Sequence, residues 1–449
     1  MPPNRDVLFV VLDSLRKDRV SLYGHERETT PMLDSLAQRA TVYENAYTPA
    51  PWTLPSHASM FTGRFPSEHG VTNGFTDRSL ELPEAVTTVT ERLAETGFRT
   101  AGFSNNPWVG TLSGLNRGFE EYVEWNLAIS ERNGTGIHRR RDRVYSRAST
   151  VLGHASRQPL SVLKRPFFTS NLVERASNWL RETDGGAFTF LNLMEAHNPY
   201  FPPKRAFAEL GLDPPGPVEP RLLNTRLLAY TMGRRDLEDE RSRVLEYYDA
   251  CVRYEDGLLG ELVGTLRELG RFDDALLVVC ADHGKTLGEY DRDAVPPHYV
   301  RDVNTNVPLV VKYPGQREGT RVEAPVELTS LFELFVGDHE ERLPEAPDGA
   351  LTEDFVPHTG RTSTDVTRWR VLADTDVKYV RSDDGRAYLF ERGERGERPN
   401  RSERIRERMC ETLDDRIEGL APTAERADQP ARELGGDVES QLEDLGYLG

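Results

Sequence analysis

The sequence is poor in cysteine, in lysine and in long apolar runs. Its 449 residues include only three cysteines, Cys251, Cys280 and Cys410, and this odd, widely spaced set indicates neither a disulfide framework nor a thiolate metal site. No apolar run approaches membrane-spanning length. The apolar stretch Val7–Leu12 is too short for a signal-peptide core and runs straight into Asp13. We therefore expect a cytoplasmic protein without a transmembrane segment.

Positive charge is also scarce, because 74 acidic residues face 56 basic ones and the formal net charge is -18. Arginine supplies nearly all of the positive charge. Such a halophile-like acidic surface suits a high-salt cytoplasm, although a GC-rich genome would also produce an arginine excess. General nucleic-acid binding is not expected at this charge. The local basic segment 138–147 either lines a site entrance and attracts an anionic substrate, or forms a solvated arginine-rich helix.

Apolar strand-like runs alternate with amphipathic helices over most of the chain, which is typical of an α/β fold. Uninterrupted apolar runs indicate strands that are buried on both faces of a parallel sheet. The predicted strands are Asp6–Leu12, Phe98–Phe103, Ala187–Leu193, Ala275–Cys280 and Val307–Tyr313. The predicted helices cover residues 30–40, 83–96, 172–183 and 239–269. We therefore predict a large, mainly parallel sheet between helices, in a domain of residues 1–320.

The pattern changes beyond residue 320. A strand and a helix over Val322–Val336 lead to three short apolar segments near residues 369, 377 and 386, whose spacing is typical of hairpins. A helix rich in arginine and glutamate follows from about Asn400, and an acidic stretch runs to Gly449. We therefore assign residues 321–449 to a smaller C-terminal subdomain with an antiparallel sheet and a helical tail.

The stretch Tyr47–Gly63 carries the residue on which the chemistry of the other motifs depends. Three prolines stiffen its first half, and residues 58–62 can form a short helix that Gly63 ends, so Thr53 falls near a helix start. A hydroxyl there faces unpaired backbone N–H groups, which favour a bound anion or an alkoxide. Threonine is also a common helix cap, so the position alone leaves both roles open for Thr53.

Acidic and imidazole side chains follow two of the predicted strands. The carboxyl ends of strands form the ligand crevice in open α/β sheets, and Asp13 lies at such an end. An Asx turn or a helix cap is the alternative role of Asp13. Asp282 and His283 follow the most strand-like run, and Gly284 lets the backbone bend so that both side chains reach one cation. This pair is the strongest metal signal in the sequence.

Further polar candidates lie at the same predicted edge. His197 comes just after a strand and before a proline-rich turn, where it is placed either for proton transfer or for simple backbone hydrogen bonding. Asn105 or Asn106 can donate an amide to an oxyanion, although Asn-Pro is also a common turn. Lys285 and His298 lie in a long loop that we expect to cover the crevice.

These motifs, in this order, resemble the sulfatase family of the alkaline phosphatase superfamily. The resemblance covers most of residues 5–315, and the motifs are Val-Leu-Asp13-Ser-Leu-Arg, Pro-Trp-Thr53-Leu-Pro-Ser-His57, Glu-Ala-His197-Asn-Pro-Tyr, Ala-Asp282-His283-Gly and Val-Pro-Leu-Val-Val-Lys. It implies an alkaline-phosphatase-like fold and one divalent cation, Mn, Mg, Ca or Zn, bound by Asp13, Asp282 and His283. It also implies that Thr53 occupies the nucleophile position and touches the metal, and that His197 assists the leaving group.

The sequence departs from the family pattern at the nucleophile. The family's Cys-x-Pro-Ser-Arg motif carries a cysteine or serine that is oxidised to formylglycine, whereas threonine would give a ketone. No formylglycine is therefore expected at Thr53. Ser14 replaces a second aspartate, and His57 replaces the arginine of the motif. A threonine nucleophile is similar instead to phosphoglycerol transferases of lipoteichoic acid synthesis, and partly to nucleotide phosphodiesterases.

We therefore predict a hydrolase that cleaves a sulfate or phosphate ester by in-line attack of Thr53, while the cation neutralises charge on the transferred group. His197 first, and His298 second, protonates the departing alkoxide. The candidates to hold the non-bridging oxygens are His57, Asn105 and Lys285. The expected substrate is a sulfated or phosphorylated small molecule, glycan or lipid headgroup.

Two other functions stay open at this point. The first is a phosphoglycerol or phosphoethanolamine type of transferase, or a phosphodiesterase, because a plain alcohol nucleophile is routine in phosphoryl transfer. The second is a non-catalytic protein that keeps the metal and captures an anionic sugar or lipid headgroup. The retained Thr53, Asp13 and Asp282 favour an enzyme over the binding protein.

Overall fold

Two β-sheets of different size organise the chain. The computed structural model describes residues 5–72, 81–124, 169–231, 236–289, 298–337, 342–355, 367–393 and 396–421. The predicted basic segment 138–147 lies outside these ranges. Within them, no helix combines the length and the apolarity needed to cross a bilayer.

The larger sheet has eight strands. They are β1 (Val7–Leu12), β2 (Thr41–Tyr47), β3 (Arg99–Ser104), β4 (Glu121–Glu124), β5 (Ala187–Leu193), β6 (Leu276–Cys280), β7 (Asn306–Lys312) and β8 (Thr320–Glu327). Their order across the sheet is β4-β3-β5-β1-β6-β7-β2-β8. All neighbours are parallel except that β7 runs antiparallel to both β6 and β2. The prediction of a large, mainly parallel sheet is therefore confirmed.

Eleven α-helices lie in the described part of the chain. They are α1 (Pro31–Ala37), α2 (Thr53–Thr62), α3 (Pro66–His69), α4 (Val89–Glu95), α5 (Thr169–Glu182), α6 (Lys204–Glu209), α7 (Glu219–Thr231), α8 (Arg241–Glu268), α9 (Asp302–Thr305), α10 (Leu331–Val336) and α11 (Glu403–Glu418). The predicted helix over residues 239–269 agrees with α8 to within two residues. The helix predicted from residue 83 begins only at Val89, because the hydroxyl of Thr88 accepts a hydrogen bond from the backbone N–H of Glu91 and caps it there.

The centre of the core is β1, all of whose residues are buried because its apolar run is covered on both faces. The ring of Phe9 contacts Phe61 of α2, Phe190 of β5 and Phe335 of α10, with ring centroids 4.8 to 6.2 Å apart. Burial of this aromatic cluster favours one position of α2 on the sheet, since each aromatic ring buries a large apolar area. The core thereby positions the helix that carries Thr53.

The smaller sheet follows α10. Its antiparallel strands, in the order β13-β12-β11-β10-β9, are β9 (Ala350–Asp354), β10 (Trp369–Ala373), β11 (Val377–Ser382), β12 (Ala387–Glu391) and β13 (Arg398–Pro399). Met409 and Leu413 of α11 pack on this sheet. The predicted small antiparallel sheet with a helix is confirmed. The boundary predicted at residue 320 falls at the start of β8, which pairs with β2 in the larger sheet, and the smaller sheet begins at Ala350.

Two glutamates lie buried between β5 and α8. Glu195 is 7% exposed, and its backbone N–H donates to Glu255 Oε1 at 3.3 Å. Glu255 is 1% exposed, and its Oε2 accepts no hydrogen bond from the described residues. Burial raises the pKa of Glu195 to about 7, and burial together with Glu195 raises the pKa of Glu255 above its ordinary range.

We expect the free energy of unfolding to fall as the pH rises towards and through about 7. The folded state holds a proton on Glu195 that the unfolded chain releases near 4.5, so the stabilisation is complete at lower pH and is lost as the pH passes the folded pKa. In wild type, Glu195 should make the free energy of unfolding about 3 kcal/mol lower at pH 8 than at pH 5, and Glu195→Gln should remove this difference in urea unfolding. The exposed Glu182→Gln is the control, and equal pH profiles of the two variants would contradict the assignment.

Candidate active site

Three side chains that could together hold a metal ion meet at one edge of the larger sheet. Asp13 follows β1, whereas Asp282 and His283 follow the neighbouring parallel strand β6. One ligand atom of each residue lies within 4.8 Å of the others. Both carboxylates are completely buried. The sequence prediction that these three residues converge agrees with this geometry, because adjacent parallel strands end at the same edge of a sheet.

Thr53 is the first residue of α2, and Trp52 is the residue that caps this helix. The hydroxyl of Thr53 lies 3.1 Å from His283 Nε2, and the residue is 4% exposed. The alternative role of Thr53 as the helix cap does not hold, since Trp52 is the cap and the Thr53 hydroxyl faces His283 instead. The helix begins five residues earlier than predicted and ends at Gly63, whose φ of +68° is favourable for glycine.

The ring of His283 has a defined orientation. Its Nδ1 lies 2.7 Å from the carbonyl oxygen of Gly284, so Nδ1–H donates there and the lone pair of Nε2 faces Thr53. Gly284 itself is required by a close approach of backbones, because a Cβ at this position would lie 1.8 Å from the carbonyl oxygen of Val303. The backbone of α9 therefore fixes the position of the His283 loop.

Asp282 has one satisfied and one unsatisfied carboxylate oxygen. Its Oδ1 accepts hydrogen bonds from the backbone N–H groups of Ser14 and His283, both at 2.9 Å. Its Oδ2 accepts no hydrogen bond from any described residue although it is buried. Ser14 has φ of +62°, the one positive value of a non-glycine residue in the described chain, and its hydroxyl donates to Asp13 Oδ1 at 2.9 Å. A buried carboxylate oxygen without a donor fits a bound cation.

Two asparagine side chains hold the second oxygen of Asp13. The amide of Asn106 donates to Asp13 Oδ2 at 2.7 Å, and the amide of Asn192 lies 3.4 Å from the same oxygen. Asn105, which we predicted as a substrate contact, donates instead to the hydroxyl of Thr169 at 3.2 Å. The sequence analysis missed Asn192, although an asparagine inside the apolar run of β5 was a signal.

His57 lies beneath the carboxylates rather than at the surface of the site. The ring is completely buried, and its Nδ1 donates to the carbonyl oxygen of Thr53 at 2.9 Å. The same nitrogen lies 3.7 Å from Asp282 Oδ2. This position corrects the prediction that His57 contacts the substrate, since the ring has no surface open to a ligand.

Lys285 and His197 are also close to Asp13, and both contact Asn198. Lys285 Nζ hydrogen-bonds to the side-chain oxygen of Asn198, while Nδ1 of His197 lies 2.6 Å from its carbonyl oxygen. Burial lowers the pKa of Lys285 to about 8, and burial together with Lys285 lowers the pKa of His197 to about 3. The buried guanidinium of Arg16, which sequence reasoning missed, donates to the carbonyl oxygen of Lys285 at 3.2 Å.

His298 begins a 3₁₀ turn over His298–Val300 just before α9. Its side chain lies outside the described part of the structure. The role of His298 as a second proton donor stays a prediction.

The electrostatics of the two carboxylates differ. Burial, and then the charge of Asp13, raises the pKa of Asp282 above its ordinary value. Burial also acts on Asp13, but nearby imidazoles, His197 first, and the amide of Asn106 outweigh it and lower the pKa of Asp13. The donor set of two carboxylates, one imidazole and one hydroxyl suits Mn, Mg, Ca or Zn and contains no thiolate. The residues present therefore fit a divalent cation.

This site and its fold belong to a known family of enzymes. The sequence profile of the sulfatase family matches residues 5–337, which is well over half of the chain. The chain is therefore a member of the sulfatase family, and the resemblance that the motifs indicated is confirmed at the level of the family.

Individual relatives are distant. The ulvan-active sulfatase of Formosa agariphila is 24% identical over 365 residues, which are 79% of this chain and 65% of that protein. The choline-sulfatase of Rhizobium meliloti is 25% identical over 353 residues, which are 74% of this chain and 67% of that protein. The crystal structure of the phosphonate monoester hydrolase of Agrobacterium radiobacter superposes with a TM-score of 0.63 at 18% identity, covering 86% of this chain and 89% of that one. This likeness establishes the fold alone.

We expect a divalent cation to stabilise the folded protein through Asp282. Addition of MnCl₂ to EDTA-treated protein, at about 100 times its Kd, should raise the free energy of unfolding by about 2.7 kcal/mol. Asp282→Asn should abolish the corresponding rise in Tm, because it removes the charge of a buried ligand. Asp273→Asn, at a partly exposed aspartate after α8, is the control and should keep the rise. A rise that is equal in all three proteins would place the cation elsewhere.

Proposed function

We propose that the protein is a metal-dependent hydrolase that cleaves a sulfate or phosphate ester with Thr53 as its nucleophile. The observation that carries this proposal is the hydroxyl of Thr53, which lies 3.1 Å from His283 Nε2 beside two buried carboxylates. The start of α2 also favours negative charge on this oxygen, since the helix dipole is positive there.

Asp13, Asp282 and His283 would hold the cation, with the hydroxyl of Thr53 next to them. A divalent cation there lowers the pKa of a neighbouring hydroxyl and offsets the charge of the group that is transferred. The buried Oδ2 of Asp282, which lacks a hydrogen-bond donor in the described chain, supports this assignment.

In the proposed reaction, Thr53 Oγ1 attacks the phosphorus or sulfur of the ester. The new bond to Oγ1 forms as the bond to the ester oxygen breaks, and the departing alkoxide takes a proton from His298, or from His197 once the negative charge of the bound ester has raised the lowered pKa of that imidazole. The proton of Thr53 passes to water, because His283 Nε2, which lies 3.1 Å from the hydroxyl, would be a ligand of the cation. Water then cleaves the threonine ester, which restores the hydroxyl and releases phosphate or sulfate. Lys285 would hold non-bridging oxygens of the substrate.

The nucleophile and the relatives favour different esters. A formylglycine hydrate releases sulfate by collapsing to the aldehyde, whereas a threonine ester must be cleaved by direct attack, and this favours a phosphate ester. The names of the ulvan-active sulfatase and the choline-sulfatase favour a sulfate ester. Both belong to one reaction class, and the expected substrate is a sulfated or phosphorylated small molecule, glycan or lipid headgroup.

A transferase is the second candidate, and the identity of the nucleophile is what favours it. A plain threonine ester can be resolved by an alcohol as well as by water, because both attack the same phosphorus atom. The two candidates share Thr53 and the cation site and differ only in the acceptor. Glycerol as a second acceptor therefore belongs in any assay of turnover.

The proposal predicts that Thr53→Ala loses at least about 10³-fold in kcat, whereas Thr53→Ser, which keeps a hydroxyl, stays within about tenfold. The assay is turnover of an aryl sulfate, a phosphate monoester and a phosphodiester by stripped protein with Mn, Mg, Ca or Zn added, in low and high salt. Thr62→Ala, at the other end of α2, removes a hydroxyl that bonds the carbonyl oxygen of Ala58 and should leave kcat unchanged.

Two outcomes would contradict this mechanism. Equal activity of Thr53→Ala and the wild type would exclude Thr53 as the nucleophile. A wild-type protein that turns over none of these esters, with water or with glycerol as acceptor, yet binds phosphate or sulfate, would favour the non-catalytic anion-binding protein.

A further inference from the structure

Charges between the smaller sheet and α9, which is half-buried at Asp302, link the smaller sheet to the active site. Lys378 of β11 is completely buried, and its Nζ lies 2.9 Å from Asp302 Oδ1, 2.8 Å from Glu397 Oε1 and 3.1 Å from the hydroxyl of Thr305. The other oxygen of Asp302 accepts a hydrogen bond from Arg392 Nε at 2.8 Å. Asp302 and Glu397 thus both bind Lys378, and Asp302 also binds Arg392. We call this pair, Lys378 and Asp302, the intersheet ion pair.

The helix that begins at Asp302 is bound directly to the metal-ligating loop. The backbone N–H of Gly284 donates to the carbonyl oxygen of Asn304 at 2.8 Å, and that of Lys285 donates to the carbonyl oxygen of Val303 at 3.1 Å. A Cβ on Gly284 would overlap the same backbone, so the two segments touch without a gap. A displacement of α9 must therefore move His283, which precedes this contact.

The smaller sheet also contacts the segment that precedes the nucleophile. The hydroxyl of Thr352 on β9 donates to the carbonyl oxygen of Thr48 at 2.6 Å, and the backbone N–H of Glu353 donates to the carbonyl oxygen of Pro49 at 2.9 Å. The backbone N–H of Thr48 in turn donates to the carbonyl oxygen of Thr305 at 3.0 Å. Both halves of the site, the nucleophile segment and the metal-ligating loop, are therefore held against α9 and the smaller sheet.

We propose that Lys378 is a positioning residue of the active site, which fixes α9 through the intersheet ion pair and thereby sets the place of His283 and its neighbours for cation binding. This inference rests on the proposed function of the site as a cation-dependent one. It assigns to the smaller sheet a role in the geometry of a site to which that sheet contributes no ligand in the described chain.

A role in positioning is more plausible physically than a role in stability alone. A buried ion pair gains little over a well-packed apolar pair, because removing two charges from water costs about as much as their attraction returns. Loss of Lys378 leaves Asp302 with Arg392 and removes the buried ammonium from Glu397, so the charges that hold α9 are no longer balanced in the same way. The pair therefore selects one arrangement of α9 against its alternatives, which is what a metal site with defined ligand distances needs.

The test compares Lys378→Met with Lys312→Met in the full-length protein. Lys312 of β7 is equally buried, and its Nζ donates to the carbonyl oxygens of Phe272 and Ala275, at the opposite end of β6 from Asp282. Lys378→Met should speed amide hydrogen exchange at Gly284 and Lys285 by about tenfold or more. It should also raise the Kd for Mn²⁺ by about tenfold. Lys312→Met should lower Tm but leave both quantities within about twofold of wild type.

A milder variant covers the case in which Lys378→Met does not fold. Asp302→Asn keeps the shape of the side chain and one oxygen acceptor, and it should change exchange at the same two amides in the same direction. Unchanged exchange at Gly284 and Lys285 in every variant that folds would overturn the inference. So would equal changes in Lys312→Met, because the effect would then be general destabilisation. Amide exchange is measured without substrate, so its result tests this inference whether or not the protein turns over an ester. A wild type that turns over no ester would count against the proposed function only.

Discussion

The parallel pairing of β1 with β6 is the constraint on which the site depends. Val11 pairs with Cys280, so Asp13 and Asp282, two residues further along each strand, leave the sheet side by side. Burial raises the pKa of Asp282, and the repulsion between the two neighbouring carboxylates raises it further. The backbone N–H of Ser14, the amide of Asn106 and the adjacent imidazoles offset part of this repulsion. A cation is the group that would offset the rest.

Much of the fold was predictable because the buried strands are uninterrupted apolar runs. The predicted strands include β1, β5, β6 and β7, and each lies within one or two residues of its place. Two strands of the larger sheet were not predicted: β2, where Glu44 and Asn45 interrupt the pattern at a register shift, and the short edge strand β4. In the smaller sheet, β9 and β13 were not predicted either. The late start of α4 was readable, since Thr88 and Glu91 have the spacing of a capping box.

The positions of site side chains were predictable where the residue directly follows a strand. They were not predictable where the direction of the side chain depends on the conformation of a loop. Asp13, Asp282 and His283 follow strands, whose direction fixes where their side chains go. The choice between Asn105 and Asn106 depends on the turn after β3, in which Asn106 Oδ1 accepts the backbone N–H of Trp108. His57 lies one helical turn after Thr53, so its ring bonds back to the helix and points inward. Spacing along the chain alone does not reveal that burial.

The reversed direction of β7 has a consequence for how such a site can change. Since β6 leaves the sheet and β7 enters it at the same edge, the connection between them starts and finishes at the edge that also carries Asp13 and Asp282. Insertions into this connection would leave the strand register untouched and reshape only the rim above the ester. The strand ends that carry Asp13 and Asp282 must stay constant. The connection between β6 and β7, by contrast, can lengthen in evolution to suit an ester of a different alcohol.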